Sequence, residues 1–284
     1  MHASPNKFHL IIYILLVFLL ISCKKSISNI SDTDFLIDND NMLMGNPSQA
    51  GTGENNFLMR KPQFSLSYSK TRSIANWVSW HTQDTDLGNT ERQNNFRADP
   101  ELPSSWYKAD DNVYNGSGFD RGHLCPSGDR TNNATNNSAT FLMTNIIPQA
   151  PDNNQYPWAA LEVYTRDLVM SGNEVYTIAG AYGTGGIGLE GYSTGIDQGR
   201  IAVPAMTWKA LIVLPKGDGD LSRVTTSVRI ICIQIPNTNI SILPDWKSYR
   251  VSVDEVENAT GYDLFSSLPI GLQSVIESRV DDIP

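Results

Sequence analysis

The residues best suited to chemistry lie between residues 119 and 166 of the 284-residue chain. This stretch opens with Asp120-Arg121-Gly122-His123, which places a carboxylate, a guanidinium and an imidazole within four residues. An imidazole exchanges a proton near neutral pH, so His123 is a candidate general base. The planar guanidinium of Arg121 matches the oxygens of a phosphate group. Taken alone, the four residues also fit a turn that carries a surface ion pair.

A second group of polar residues surrounds a predicted helix over residues 158–170. Pro157 fits the first turn of this helix, because the N–H that proline lacks has no intrahelical partner there. A helix that begins here puts Asn154 at or just before its N-terminus and Glu162 and Arg166 on one face. The side-chain oxygens of Asn154 and Glu162 suit a hard cation such as Mg²⁺. Arg166 adds a second guanidinium for phosphate.

A base, a cation and arginines together are what phosphodiester hydrolysis requires. The base converts water to hydroxide, the cation stabilises the leaving 3′-oxygen, and the arginines neutralise charge in the transition state. Each residue also has a simpler interpretation. Asn145 could bond a neighbouring backbone group, and Glu162 with Arg166 could form a solvated pair worth a few tenths of a kcal/mol. The combination of all these residues at these separations favours hydrolysis.

The combination resembles the DNA/RNA non-specific endonuclease family, the DRGH nucleases of the ββα-metal (His-Me finger) superfamily. The positions that carry the resemblance are Asp120, Arg121, Gly122, His123, Asn145, Asn154, Glu162 and Arg166. It extends to residues 74–80 and 96–100, and to Val203-Pro204 followed by Trp208-Lys209. The resemblance therefore covers about residues 57–260.

The resemblance implies a role for each matching position. His123 would be the general base, and Asn154 would be the sole direct protein ligand of one Mg²⁺, with Mn²⁺ as a possible substitute. Glu162 would orient the water shell of that ion. Arg121 and Arg166 would contact phosphate in the transition state.

Two further positions would support the site, and one segment departs from the family pattern. Asn145 would support the geometry of metal and base, and Asp120 would brace the backbone of the motif. Where relatives often carry a basic residue before the 96–100 segment, this chain has Asn94 and Asn95, so Arg97 or Arg92 would have to grip substrate phosphate. The substrates implied are DNA and RNA, cleaved to 5′-phosphate products without base readout.

The elements that must position these residues are mostly strands. Alternation of apolar and polar residues predicts strands at Phe64–Tyr68, Ile74–His81, Glu174–Ala179, Lys209–Leu214 and Val228–Ile235. Regular helices do not separate these strands, which disfavours a parallel βαβ array. The prediction is an α+β fold with a mixed, mostly antiparallel sheet, helices and a ββα-metal catalytic core.

A glycine-rich segment, Gly183–Gly188, matches the dinucleotide-binding pattern G-x-G-x-x-G. A dinucleotide site also needs a helix that begins in this segment and holds the pyrophosphate at its N-terminus. The residues that follow are poor helix formers. The segment is therefore interpreted as a surface loop, and no nucleotide cofactor is predicted.

The N-terminal segment predicts export. Lys7 precedes an apolar run, Leu10–Ile21, which is shorter than the roughly 20 residues that span a bilayer, so residues 1–22 fit a signal peptide. Leu20-Ile21-Ser22-Cys23 resembles a bacterial lipobox, in which Cys23 would be acylated and anchor the protein to a membrane, on the periplasmic face or the cell surface. An uncleaved anchor is the alternative.

Composition divides the rest of the chain into a tether over residues 23–55 and an endonuclease domain over residues 56–284. Asp38-Asn39-Asp40-Asn41 lacks the glycine and glutamate of an EF-hand loop and is interpreted as solvated linker. The formal net charge is −9, and loss of Lys7 with the signal peptide would make it −10. A polyanion must therefore bind locally, against the overall field.

The remaining cysteines and histidine have structural interpretations. Cys125 and Cys232 could form a disulfide or remain buried thiols, and His81 ends an aromatic strand, which indicates a structural residue.

Two other functions stay open at this point: a catalytically silent lipoprotein that binds polyanions or a partner, and a phosphodiesterase of narrower substrate range. The acidic balance favours keeping the second, because general affinity for polyanions depends on basic surface. The sequence does not predict the oligomeric state.

Overall fold

A computed structural model of the protein describes Met1 and residues 38–283. The predicted lipobox and acylated Cys23 lie outside the described residues, as does all of the predicted signal peptide except Met1. Residues 38–283 fall within one compact unit, Thr33–Pro284. In the part of the chain that is described, no helix is long and apolar enough to cross a membrane.

A seven-stranded sheet with the order β1-β2-β3-β4-β7-β12-β13 forms the centre of this unit, and every strand pairs with its neighbours in antiparallel fashion. In chain order, the strands of the described region are Thr52–Gly53 (β1), Asn56–Arg60 (β2), Ser65–Ser69 (β3), Ile74–Thr82 (β4), Asp120–His123 (β5), Ile146–Gln149 (β6), Asn173–Tyr182 (β7), Gly186–Gly188 (β8), Gly191–Ser193 (β9), Gly195–Ile196 (β10), Ile201–Ala202 (β11), Met206–Pro215 (β12) and Arg229–Pro236 (β13). The five predicted strands correspond to β3, β4, β7, β12 and β13. The predicted α+β fold with a mostly antiparallel sheet is confirmed.

Short helices surround the sheet. In chain order they are Ala134–Ala139 (α1), Pro151–Asn153 (α2), Ala159–Met170 (α3), Asp220–Arg223 (α4), Val253–Thr260 (α5) and Ile270–Ile276 (α6). Turns of 3₁₀ helix occur at Asp84–Asp86, Asp111–Tyr114, Ser127–Asp129, Met143–Asn145 and Trp246–Tyr249.

The helix that carries Glu162 begins earlier than predicted. It starts at Pro151 and continues from α2 to α3 through a segment of π-helix, Asn154–Trp158, which contains Pro157. A proline inside a helix removes one backbone donor and crowds the preceding turn, and a local π-bulge accommodates both effects. Asn154 therefore lies inside the helix, at the bulge, and the prediction that the helix begins near Pro157 is wrong.

The sheet is buried on both faces, which explains its nearly continuous apolar strands. Along β12, Leu211 and Val213 belong to one core cluster, whereas Ala210 and Ile212 belong to the other. The first face packs under α3, and the second face packs under α5, α6 and residues 42–50. The side chains of the DRGH motif and of α3 accordingly lie on the first face.

The predicted tether is wrong for residues 38–55. Met42, Leu43 and Met44 are fully buried against the second face of the sheet. Asn41 accepts a hydrogen bond from the His81 backbone N–H, at 3.1 Å. Three consecutive apolar residues within a polar segment release enough free energy on burial to fix its position. The folded domain therefore begins before residue 56, and Asp38 and Asp40 belong to it.

The two buried cysteines are free thiols. Cys125 belongs to the core cluster of the first face and Cys232 to that of the second, so the sheet separates them. Burial raises the pKa of both thiols, which suits a packing role rather than a nucleophilic one.

His81 and the glycine-rich segment at residues 183–188 both have structural roles. His81 is buried, and its Nε2 lies 3.0 Å from a carboxylate oxygen of Glu174. The glycine-rich segment leads into a hairpin of β8 and β9 and not into a helix, so no pyrophosphate site forms there.

Candidate active site

The DRGH motif forms one strand of a ββα unit. β5 pairs with β6 in antiparallel register, with His123 opposite Ile146, and the continuous helix from Pro151 to Met170 follows directly. This order of elements brings the end of β5 beside the π-helical segment and the first turns of α3. The motif and the helical residues, although more than 30 positions apart in sequence, thus meet in space.

An open cavity of about 440 Å³ lies at this junction. The residues that line it are Arg92, Arg121, His123, Pro126, Ser127, Gly128, Asn154, Gln155, Ala159, Glu162 and Arg166. Five of the predicted site residues are among them, together with Arg92. Asp120 and Asn145 do not line this cavity, and Arg97 lines a different one.

The imidazole of His123 is packed between aromatic rings with one nitrogen left unpaired. Phe96 and Phe141 lie with their ring centroids 5.3 and 5.0 Å from that of His123. Trp158 donates its indole N–H to the backbone carbonyl of His123 at 3.1 Å, which fixes the end of the strand. The Nε2 atom is buried and has no hydrogen-bond partner among the described residues. This nitrogen therefore keeps its capacity for one further hydrogen bond.

The surroundings of His123 keep its imidazole neutral. Burial lowers its pKa from 6.5 to about 3, the positive charges of Arg92 and Lys209 act in the same direction, and a hydrogen bond with the Arg121 backbone opposes them. A neutral imidazole can accept a proton, whereas an imidazolium cannot. At neutral pH the residue is in the form that a general base requires.

Asn154 is held with its amide oxygen as the uncommitted atom. Its Nδ2 donates to Asp120 Oδ2 at 2.8 Å, and Gln155 donates to the same carboxylate oxygen at 2.9 Å. The orientation leaves Oδ1 of Asn154 to act as an acceptor or as a ligand. Asp120 thus fixes side chains of the helix, which differs from the predicted role of bracing the motif backbone.

Glu162 is anchored by a buried lysine that the sequence did not single out as a site residue. Lys209, on β12, is only 2% exposed, and its Nζ lies 2.9 Å from Glu162 Oε1. The same ammonium lies 4.0 Å from the ring centroid of Trp158. A lysine at an inward position of an apolar strand is rare unless it is paired. This was the signal that could have identified Lys209.

Two arginines line the cavity on aromatic supports. The guanidinium of Arg121 stacks over Phe96 at 4.7 Å, and that of Arg92 stacks over Phe141 at 4.8 Å. Arg92 also donates to the Ser127 hydroxyl at 2.5 Å. Stacking holds a guanidinium without consuming all of its N–H donors, which remain available to phosphate oxygens.

Arg166 is held by a buried carboxylate and a close backbone approach. Its Nη1 donates to Asp129 Oδ1 at 3.1 Å, and the Asp129 side chain is almost fully buried. A Cβ atom at Gly128 would lie 2.8 Å from the same Nη1. The glycine therefore makes room for the guanidinium, which remains 24% exposed towards the cavity.

Steric contacts explain why position 122 of the motif is glycine. A Cβ atom at Gly122 would lie 2.2 Å from Gln149 Oε1 and 2.6 Å from Gln149 Cβ on the paired strand. Contacts this short are not tolerated. Only glycine allows β5 to approach β6 this closely next to His123.

Asn145 fixes the chain that leaves the motif. Its side chain accepts from Cys125 N at 2.9 Å and donates to Cys125 O at 2.8 Å and Thr140 O at 2.9 Å. The residue is fully buried and does not line the cavity. It positions the backbone that follows His123 and makes the neighbouring-backbone bonds expected of its simpler interpretation.

Arg97 does not reach the cavity, contrary to its prediction as a phosphate contact. It donates to the carbonyls of Asn95 and Ser138, at 3.2 and 2.8 Å, and lines a different cavity near Lys61. The backbone of Arg97 pairs with the segment around Phe141, which directs the side chain away from His123. Of the two arginines considered as substitutes, Arg92 is the one at the site.

The donors at the cavity suit a hydrated hard cation. Asn154 supplies an amide oxygen and Glu162 a carboxylate, while the unpaired Nε2 of buried His123 offers a neutral acceptor. Two oxygen donors are too few for a dehydrated cage but fit Mg²⁺, which keeps several of its waters. The residues present therefore fit the metal that the motif implies.

Comparison with known proteins agrees with this geometry. Residues 37–270 match the model of the DNA/RNA non-specific endonuclease family. A nuclease from Nostoc sp. is 45% identical over 244 residues, which cover 85% of this chain and 86% of that protein. The mitochondrial nuclease EXOG of Danio rerio is 31% identical over 209 residues, which cover 72% of this chain and 59% of that longer protein. A chain in the crystal structure of the EndoG/EndoGI complex has the same fold, with a TM-score of 0.66 and 20% identity, over 81% of this chain and 91% of that one.

Proposed function

Since the chain belongs to the DNA/RNA non-specific endonuclease family and is a nuclease, we propose that it hydrolyses both DNA and RNA to 5′-phosphate products with His123 as general base and one hydrated Mg²⁺ held by Asn154. The observation that carries this proposal is the shared cavity, which His123, Asn154, Glu162 and three arginines line together. A protein that only binds polyanions needs the arginines, but it needs neither a neutral buried imidazole nor an oriented amide oxygen.

His123 removes a proton from the attacking water. Its ring is neutral at physiological pH and lines the cavity, and Nε2 has no hydrogen-bond partner among the described residues. The aromatic walls and the bond from Trp158 hold the base in place before substrate arrives, which lowers the cost of reaching the reactive geometry. Such a base contributes about 10²–10⁴-fold to the rate.

Asn154 and Glu162 would hold the cation, with Asn154 as its protein ligand and Glu162 orienting its water shell. When bound, the Mg²⁺ supplies positive charge beside the leaving 3′-oxygen. Asp120 and Lys209 fix the orientation of these two side chains. Mn²⁺, which accepts the same oxygen ligands, substitutes for Mg²⁺.

Arg92, Arg121 and Arg166 bind the phosphate and neutralise the charge that develops on it. They concentrate positive charge at the cavity of a protein whose net charge is −9, so substrate binds by local contacts. These groups contact the backbone of a nucleic acid and carry no information about its bases. Acceptance of both DNA and RNA follows from this.

The test is the rate of cleavage of supercoiled plasmid and of RNA by the parent protein and His123→Ala. We expect both substrates to be degraded, EDTA to stop the reaction, and the variant to lose at least about a hundredfold in rate. Arg97→Ala is the matched control outside the cavity and keeps its activity. Full activity in His123→Ala would exclude this mechanism, and an inactive parent protein would favour the silent binder.

We also propose that the protein is exported and anchored to a membrane through acylated Cys23. The support is the sequence of residues 7–23, with a basic residue, an apolar run and Leu20-Ile21-Ser22-Cys23. Two acyl chains are sufficient for stable anchoring. Expression of Cys23→Ala in a bacterial host should shift the protein from the membrane fraction to a soluble fraction, whereas equal membrane retention would contradict the proposal.

A further inference from the structure

Three carboxylates meet where α5 packs beside the end of α6, on the face of the sheet opposite the active-site cavity. Asp254 and Glu257 lie three residues apart on α5, and Glu277 directly follows α6. One oxygen of each carboxylate lies within 4.8 Å of an oxygen of both others. The neighbouring residues Val253, Val256 and Ile276 belong to the second core cluster, so the group is built on a packed scaffold.

Glu277, one member of this group, carries a buried oxygen without a hydrogen-bond partner. The residue is 3% exposed, and its Oε1 has no hydrogen-bond partner in the described region. The surrounding backbone is already paired, because Asp254 N donates to Glu277 O at 3.1 Å and Leu264 N donates to Glu257 Oε1 at 2.6 Å. A buried polar atom without a partner costs free energy. Its presence points to a ligand.

The charge around Glu277 is uniformly negative. Asp263 lies close to the three carboxylates, and within residues 38–283 none of the four acidic side chains forms an ion pair with lysine, arginine or histidine. Burial, and then the charges of Glu257, Asp263 and Asp254, raise the pKa of Glu277 from 4.5 to about 8. The group therefore has no positively charged side chain paired with it in the described region.

In a second cluster of three potential ligands, the carboxylates already have partners within the protein. His81, Glu174 and Asp220 also bring three ligand atoms within 4.8 Å of one another. There the guanidinium of Arg223 bonds both carboxylates, and Tyr176 donates to Asp220. That cluster already contains its own cation. The group around Glu277 has three carboxylates and, among the described residues, no such cation.

We propose that Asp254, Glu257 and Glu277 bind a calcium ion that links α5 to the end of α6. Calcium takes oxygen ligands at about 2.3–2.6 Å, so two ligands on opposite sides of one ion lie up to about 5 Å apart. The three oxygens all lie within 4.8 Å of one another, which places each pair within that limit. Mg²⁺ suits the group less well, because it demands near-ideal octahedral geometry and keeps several of its waters, whereas calcium accepts several carboxylates in flexible geometry. Water completes the coordination shell.

The consequence is a cation that stabilises the C-terminal layer independently of catalysis. A ligand that binds the folded state alone raises stability in proportion to the logarithm of its concentration above Kd. The buried Glu277 oxygen that lacks a partner in the absence of calcium becomes a ligand in its presence. The effect is on thermal unfolding, so it can be measured without nuclease activity.

The experiment uses the full chain with Asn154→Ala, which removes the proposed ligand of the catalytic cation, and CaCl₂ as the probe. Isothermal titration should show one calcium ion per chain. At a hundredfold excess over Kd, the midpoint of thermal unfolding should rise by about 5–10 °C. Introducing Glu277→Gln into this Asn154→Ala protein should abolish both calcium binding and the rise in the unfolding midpoint. In EDTA, its midpoint of thermal unfolding should be equal to or above that of the Asn154→Ala protein. Asp254→Asn should weaken calcium binding at least tenfold.

The matched control is Asp282→Asn, which neutralises an exposed carboxylate five residues beyond Glu277 and keeps the full calcium response. No binding of calcium to the parent chain would overturn the proposal. An unchanged calcium response in Glu277→Gln would overturn it equally, since the ion would then be bound elsewhere.

Discussion

We expect Lys209 to control the proposed cation site through Glu162, and replacing Lys209 by methionine tests this directly. Lys209 is 2% exposed, its ammonium lies 2.9 Å from Glu162 Oε1, and it contacts the face of Trp158 at 4.0 Å. Methionine preserves most of the volume of the lysine stem and removes the charge. The carboxylate of Glu162, which is 16% exposed, loses its anchor and turns towards solvent.

The expected effect is on metal affinity more than on folding. Loss of a group that orients a metal ligand costs about 10–100-fold in affinity or activity, which corresponds to about 1.4–2.7 kcal/mol. The free energy of unfolding changes less than removal of a buried partner would suggest, for two reasons. Burial already lowers the pKa of Lys209 and so disfavours its charged form, and the released Glu162 can be hydrated.

The assay is the initial rate of plasmid cleavage as a function of MgCl₂ concentration. For Lys209→Met we expect the half-saturating Mg²⁺ concentration to rise 10–100-fold, with a smaller change in the rate at saturation. Lys216→Met is the matched control, because Lys216 pairs with Asp84 at the surface, and it leaves the Mg²⁺ dependence unchanged. Circular dichroism shows that the variants are folded.

A double-mutant cycle identifies the route of the effect. If Lys209 acts through Glu162, the Lys209→Met change should have little further effect on Mg²⁺ dependence in a Glu162→Gln background. Additive effects, or an unchanged Mg²⁺ dependence in Lys209→Met alone, would refute this reasoning.

Three further predictions concern substrate grip, backbone packing and pH. Arg92→Ala should lower the cleavage rate at least tenfold and make that rate less sensitive to salt. Arg97→Ala should do neither, and equal effects of the two substitutions would contradict the placement of the two side chains. Gly122→Ala should destabilise the protein by about 1–3 kcal/mol and abolish most activity, because the added methyl group meets Gln149; a denaturation curve with an unchanged midpoint would contradict this. Without calcium, ionisation of Glu277 should lower stability as pH rises from about 5 to 8, because its folded pKa lies above its unfolded value of 4.5. In Glu277→Gln, the loss of stability over this pH range should be smaller by on the order of 2 kcal/mol. The same dependence of stability on pH in the variant and the unmutated protein would contradict this.

The sequence predicted those parts of the site that can be recognised from residue type and spacing along the chain. His123, Asn154, Glu162 and Arg166 were predicted from their residue types and from the family resemblance, and the structure brings them to one cavity. The alternation of apolar residues likewise predicted the strands of the sheet. These signals depend on residue type and spacing, which the sequence displays directly.

The parts that the sequence missed depend on contacts between distant segments. Met42, Leu43 and Met44 are too few to predict an element, yet they complete the core on the second face of the sheet. Lys209 becomes a site residue only because β12 lies under α3. Arg92 and Arg97 differ by five positions in one loop, and only the backbone pairing of that loop decides which one faces His123.

Anomalous diffraction from crystals grown with MnCl₂ tests most directly whether a base and a hydrated cation meet in one cavity. We expect a peak about 2.1 Å from Asn154 Oδ1, with water filling the remaining positions, Glu162 reached through water, and His123 Nε2 outside the coordination shell. A cation bound by His123 itself, or no peak beside Asn154 under conditions where Mn²⁺ supports cleavage, would contradict the account.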